Sequence, residues 1–297
     1  MAAVTDSAYG RRERVSLSVV SPIRSSPIED GLVIRALAGA VAAGAITAGA
    51  RKTHTLSESG QWAAFASGIL TAAAGWWWAA TLIAFFVSST LLTRWRQPVK
   101  MAKTEGTLPR MTERSGRQVL ANGGFFVLFA FASTYLRNER LAFAALGALA
   151  AASSDTWSTE IGTLFGGTPR LITTRTPVEP GMSGGVSAAG FGAAVAGALF
   201  IALLGAFSIP QHHTRLAMAA AIGGFGGGLV DSLLGATLQS TRFCDRCRHW
   251  TERRVHSCGF RTRHARGISW LSNDLVNACG TFAGAVIAVA AGWVLGR

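Results

Sequence analysis

Charge is scarce in this 297-residue chain. Only 14% of its residues are charged, while 49% are hydrophobic. Soluble domains carry about 25% charged residues, so that shortage excludes one water-soluble domain of this length. Acidic residues are scarcer than basic ones, 15 against 28. The basic excess falls in links between apolar runs, which excludes a nucleic-acid footprint and fits the loops of a membrane protein. Cysteine is rare too, with four in all, three of them between positions 244 and 258. That number excludes a disulfide framework. The first thirty residues have no compact apolar stretch of the kind that a cleavable signal peptide needs. Residues 1–30, with Arg11, Arg12, Arg14 and Arg24, read as a flexible, Ser-rich cytosolic tail, a short organelle-targeting segment being the alternative.

What the chain has in abundance is long apolar runs, several of them close to the ~20 residues that cross a bilayer. Residues 31–296 read as one integral membrane domain, an all-α polytopic transmembrane bundle of about seven spans, within a range of six to eight. The spans fall at 31–50, 61–92, 119–136, 141–161, 186–207, 216–239 and 268–295. The second is 32 residues long and contains Gly75 and the run Trp76, Trp77, Trp78, so it is either one long crossing or two short ones. Seven crossings put the tail and the basic links 93–118, 162–185 and 240–267 on the cytosolic side. They put 51–60, 137–140 and 208–215 on the other, in agreement with the positive-inside rule. Splitting 61–92 in two would move the tail across.

One stretch organises the rest. The run from Leu141 ends in AASSDTWSTEIG, with Asp155 and Glu160 among hydroxyls. An ionisable group at membrane depth costs about 2.5–3.5 kcal/mol and generally faces a bundle interior or a watery site. A helix that simply surfaces here is the competing reading, but similar clusters end other spans on the same face. Arg117, Gln118 and Asn122 begin one, and Asp231, Ser232 and Gln239 lie near the end of another. Asn273, Asp274 and Asn277 begin the last. On a helical wheel Gly224, Gly228, Asp231, Gly235 and Gln239 share a narrow face. A small-residue packing seam explains the glycines but not the aspartate.

Asp155, Asp231 and Asp274 are therefore expected to share a divalent cation. Mg²⁺ is commonly held by one or two carboxylates together with substrate phosphates. Phosphate anchors lie close by in sequence. Arg170 and Arg175 offer guanidinium forks, and Ser183, Gly184 and Gly185 form a glycine-rich turn feeding a helix N-terminus, a favourable anion site. No Gly-Lys-Ser/Thr follows, so this is not a Walker A loop. Lys100 is a weaker phosphate candidate. In 240–267, Cys244-x-x-Cys247 followed by His256-x-Cys258 suits a structural, tetrahedral Zn²⁺ site, with His249 as a competing ligand and free thiols as the alternative.

GRQVLANGG, SSDTWSTEIG, PRLITTRTPVEPGMSGGVS, GGGLVDSLLGATLQ and GISWLSNDLVN occur in the order seen in the transmembrane protein 19-like family, which includes the plant phytyl-phosphate kinase. The resemblance runs from about Lys100 to the C-terminus. It implies a membrane kinase that converts an isoprenyl monophosphate to its diphosphate with a nucleoside triphosphate, CTP being preferred in related lipid-alcohol kinases. Its partners would be the bilayer, the isoprenyl phosphate and the nucleotide, and no nucleic acid. Asp155 and Asp231 are the expected metal ligands, Glu160 and Asp274 their supports, and Arg117, Arg170 and Arg175 the phosphate binders. A transporter or lipid-handling protein that uses the buried aspartates for ion or phosphate binding is the alternative from another class.

Overall fold

The computed structural model describes residues 27–104, 113–208 and 213–297. Nearly all of the expected tail lies outside them. The first two helices, α1 (Pro27–Lys52) and α2 (Glu58–Ala74), form an antiparallel hairpin. Gly39 lies against Ala72, and Gly68 against Ala43. The apolar run 61–92 does not form one span. It breaks at Gly75, whose φ of 153° and ψ of 154° suit only glycine, and returns as α3 (Trp76–Arg94). The reason is length. Thirty-two residues of helix would extend about 48 Å, against a hydrocarbon core of about 30 Å, whereas 17 and 19 residues each match one crossing. Both ends of the hairpin are pinned. Arg94 donates to Thr55 Oγ1 (2.7 Å) at one face, and Trp77 stacks on Phe207 at the other.

A short helix α4 (Gln97–Lys103) follows, and then α5 (Gly116–Tyr135), which opens on a capping box between Ser115 and Gln118. Helix α6 (Glu139–Phe165) is the axis of the bundle. Every residue from Ala142 to Ser154 is buried, as expected of a helix that is apolar all round. It packs against α5, α7 (Ala188–Ala206), α8 (His213–Thr237) and α9 (Asn273–Val294). The contact of α6, α8 and α9 is close enough to require glycine. A Cβ at Gly284 would lie 2.6 Å from the carbonyl oxygen of Gly147, and one at Gly223 would lie 2.5 Å from that of Gly284. At the far face Arg215 ties these helices together, donating to Gly292 O (2.7 Å) and Glu139 Oε1 (3.1 Å).

Six of these helices, α1, α3, α5, α7, α8 and α9, are long and apolar enough to cross a membrane. α2 and α6 run beside them between the same two faces, so eight helices make up the bundle, within the expected range of six to eight. The basic links 93–118, 162–185 and 240–267 meet on one face. Lys103 Nζ donates to Leu164 O (2.7 Å), and Ser183 meets Glu252. The link 51–60 joins them, contrary to expectation, because Ser57 N donates to Arg114 O (3.1 Å). The extra crossing is the cause, and it sets the start of α1 at the opposite face.

Two small sheets lie on the loop face. β1 (Arg170–Leu171) pairs antiparallel with β2 (Gly185–Val186). The segment expected as an Arg/Cys-rich loop is a three-stranded antiparallel sheet in the order β4-β3-β5, formed by β3 (Thr241–Cys244), β4 (His249–Thr251) and β5 (Arg263–Arg266). Phe243 packs edge-on to Trp250 across the β3–β4 pair, and the Arg263 guanidinium covers Phe243.

Candidate active site

The polar helix ends open into one cleft of about 1200 Å³ on the loop face. Its floor is made by α6 and α8. Asp155 and Asp231 project from them toward each other, with their carboxyls within hydrogen-bonding reach. Two like charges so close cannot both stay ionised without a cation or a shared proton. Gly228 allows the approach, since a Cβ there would meet Ser154 Oγ at 2.7 Å. Asn277, in the amide orientation that satisfies both its ends, donates to Asp231 Oδ2 (3.2 Å) and Asn273 O (3.1 Å). Ser232 lines the cleft next to Asp231.

Asp274 does not join that pair. It faces Arg117 and Glu252, both near enough to perturb its field or feel it. A set of three aspartates around one ion, as expected from sequence, is thus replaced by an opposed pair and a separate Asp274. Glu160 is occupied as well. It accepts from Thr93 Oγ1 and from Lys100, whose buried ammonium also donates to Leu92 O and Thr93 O (2.7 Å each), the last carbonyls of α3. Lys100, the weaker phosphate candidate, therefore serves as a helix C-cap and ion-pair partner.

Arg170 and Arg175 lie away from the cleft. Arg170 Nη1 donates to Arg175 O (2.9 Å) and both side chains are exposed. The turn between them takes the chain through a positive φ of 59° at Arg175, which no sequence pattern announces. The arginines that do line the cleft are Arg114, Arg117, Arg242 and Arg254. Gln118 lines it too, while Asn122 sits behind, donating to Gln118 O (2.9 Å). The turn from Gly181 to Ser187 forms one wall, and Ser187 caps α7 by accepting from Gly190 N (3.1 Å). Gly184 is required there: its φ is 79°, and a Cβ would lie 2.5 Å from the backbone of Ala236.

Glu252 was not among the residues expected at the site. Strand β4 ends just before it and delivers its carboxylate into the cleft, where it accepts from Ser183 Oγ and Gln239 Nε2 (2.7 Å). Gln239, 1% exposed, donates to Ser183 as well (2.8 Å). Burial pushes the Glu252 carboxyl above the usual range and Asp274 adds to the rise, against the two hydrogen bonds. A second cavity of about 390 Å³ lies between α1, α2, α3 and α5, lined by residues such as Ala43, Ala72, Leu82 and Phe86. Arg114, Gln118 and Thr156 line both spaces.

These features define a polytopic helical membrane protein with a charged cleft at one face, beside an apolar cavity among its helices. Residues 41–285 match the family described as integral membrane protein DUF92, and the chain belongs to that family. It is similar to the membrane protein MJ0933 of Methanocaldococcus jannaschii, 36% identical over 156 residues, 52% of this chain and 63% of that one. It is 29% identical to protein PGR of Arabidopsis thaliana over 250 residues, 76% of this chain and 85% of the relative. Protein VTE6, chloroplastic, from the same plant is 29% identical over 245 residues, 79% of this chain and 64% of the relative. The chain thus spans a little under two thirds of MJ0933 and VTE6. No solved structure matches it.

Proposed function

We propose that this protein is a membrane-embedded kinase that converts an isoprenyl monophosphate of phytyl or geranylgeranyl type to its diphosphate, using a nucleoside triphosphate such as CTP. The observation that carries the reading is the Asp155–Asp231 pair, opposed across two helices at the floor of an arginine-lined cleft that shares Arg114, Gln118 and Thr156 with an apolar cavity. The resemblance to the phytyl-phosphate kinase family supports the same reaction. By the positive-inside rule the cleft faces the cytosol or its organelle equivalent, and the start of α1 faces away.

Two facing carboxyls suit Mg²⁺, which takes one or two carboxylates beside phosphate oxygens. Asp155 and Asp231 would hold such an ion, which would supply charge neutralisation for the phosphate oxygens. The chain's own residues position the reactants. The apolar cavity takes the prenyl tail, within the ~300–1,000 Å³ range of ligand sites, and Arg114 and Gln118 at its mouth meet the lipid phosphate. Arg117, Arg242 and Arg254 hold the nucleotide phosphates. An oxygen of the lipid phosphate then bonds to the γ-phosphorus as the bond to the nucleoside diphosphate breaks. No general base is needed, because the acceptor is largely ionised near pH 7 (second pKa about 6).

Incubating the purified protein in detergent with Mg²⁺, labelled CTP or ATP, and phytyl or geranylgeranyl phosphate tests this. Labelled prenyl diphosphate is the expected product. Absence of transfer with every pairing, together with ion or phosphate flux in proteoliposomes, would replace the kinase with a transporter.

A further inference from the structure

The carboxylate that completes the cleft, Glu252, comes from a sheet with little to hold it together. Residues 240–267 carry three strands of three or four residues and one aromatic pair. Units below about 40 residues generally need a metal, a disulfide or a partner to stay folded. Four side chains converge where such a fastener would sit. Cys244 ends β3, Cys247 lies in the following turn, and His256 and Cys258 occupy the turn between β4 and β5. One ligand atom from each lies within 4.8 Å of all the others.

The spacing has the dimensions of a zinc site. Cys244 Sγ and Cys258 Sγ are 3.8 Å apart. Two Zn–S bonds of about 2.3 Å at a tetrahedral angle subtend about 3.8 Å, whereas a disulfide needs about 2.05 Å. His256 is buried, 6% exposed, and its Nε2 finds no hydrogen-bond partner among the described residues, which leaves the ring with an unmet polar demand. His249, the other nearby imidazole, is turned away toward Glu179 Oε1 (3.3 Å) and takes no part. The two ligand pairs flank β4 on both sides, so Glu252 lies on the segment they clamp, five residues beyond Cys247 and four before His256.

We propose that Cys244, Cys247, His256 and Cys258 bind one Zn²⁺, and that this ion positions Glu252 in the cleft. The zinc is structural, because all four positions are filled by protein and none is left for a substrate. Glu252 is a positioning residue that orders Ser183 and Gln239. The zinc site is its support. The claim stands apart from the kinase reading, since its readouts require no turnover.

Full-length protein purified without chelator should contain about one zinc per chain by elemental analysis. Cys279→Ser, on α9 and outside the site, and Cys258→His, which replaces one zinc ligand by another, should keep the metal. Cys244→Ser/Cys258→Ser should lose it. Cobalt exchanged into the wild type should give thiolate charge-transfer absorption that the double variant lacks. Stripping zinc from folded wild type should speed tryptic cleavage at Arg253 and Arg254 about tenfold, as the clamped segment opens more often. Returning Zn²⁺ should restore protection. Zinc-free wild type that neither takes up Zn²⁺ nor shows the cobalt spectrum would overturn the site. Bound zinc whose removal leaves cleavage at those arginines unchanged would overturn its positioning role.

Discussion

Asp155 of α6 and Asp231 of α8 meet carboxyl to carboxyl inside the bundle, 76 residues apart in the chain. Their helices are drawn together by the glycines of α8, and Asn277 from α9 steadies Asp231 from the third side. If that pair holds Mg²⁺, Asp231→Asn retains size and polarity but removes the charge that binds the ion. The expected outcome is a fall in kcat of about 10²–10³-fold with expression and melting temperature in detergent near wild type. Near-normal lipid-phosphate kinase turnover in this variant would rule out the metal role.

Lys100 and Glu160 form a nearly enclosed ion pair, with side chains 6% and 16% exposed. Removing one partner strands the other, a loss of about 3–5 kcal/mol. Lys100→Met should therefore lower the melting temperature sharply, and Lys100→Met/Glu160→Gln should recover much of the loss. Equal destabilisation by the single and double variants would show that the pair matters only through its separate contacts with Thr93 and the end of α3.

Glu252 gives a pH signature. Its folded-state pKa lies above the unfolded value of about 4.3, so the protonated form is the one that folding favours. The contribution to stability is full below pH ~4.3 and is lost as pH rises through the folded pKa. Asp231 and Asp274 face the group with like charge, while Arg242 and Arg254 share the cleft. Wild-type melting temperature should fall more steeply than that of Glu252→Gln between pH 4.5 and 7. Parallel profiles for the two proteins would refute this assignment.

The cavity between α1, α2, α3 and α5 can be filled from Ala79, which lines it. Ala79→Phe should raise KM for geranylgeranyl phosphate about tenfold or more, since each methylene excluded from an apolar pocket is worth about 1–3 kcal/mol. KM for the nucleotide should not move. An equal rise in both KM values would mean that the tail binds elsewhere.

The hairpin at Gly75 is open to labelling. Single cysteines at Ser57 and Gln97 should react from the same side of the membrane as one at Thr174, and a cysteine at Trp76 from the other. Reaction of positions 57 and 97 from opposite sides would restore a single long crossing.

Much of this arrangement can be read from the sequence because membrane burial makes polar residues conspicuous. A charge just beyond a run of twelve apolar residues, as at Asp155, is visible without any structure, and so is Asp231 among glycines. The fate of the run 61–92 depended on a feature of one residue, the φ that only Gly75 tolerates. Pattern alone shows the glycine but not the turn. Arg170 and Arg175 looked like phosphate anchors because arginine spacing carries no information about which way a tight turn aims its side chains. Glu252 was hidden for the opposite reason. In a segment rich in arginine and cysteine an acidic residue looks like ordinary surface, and only the pairing of β3 with β4 carries it to Gln239.

The place of α6 at the bundle axis has a consequence for how the protein is made. Asp155 is synthesised 76 residues before Asp231, an interval of about 4–15 s at ordinary elongation rates of about 5–20 residues per second. For those seconds α6 has neither its opposing carboxyl nor the complete walls supplied by α8 and α9, and it carries a penalty of about 2.5–3.5 kcal/mol for the lone aspartate. It therefore enters the bilayer as the least comfortable segment of the chain and becomes the best-protected one only when translation has nearly finished.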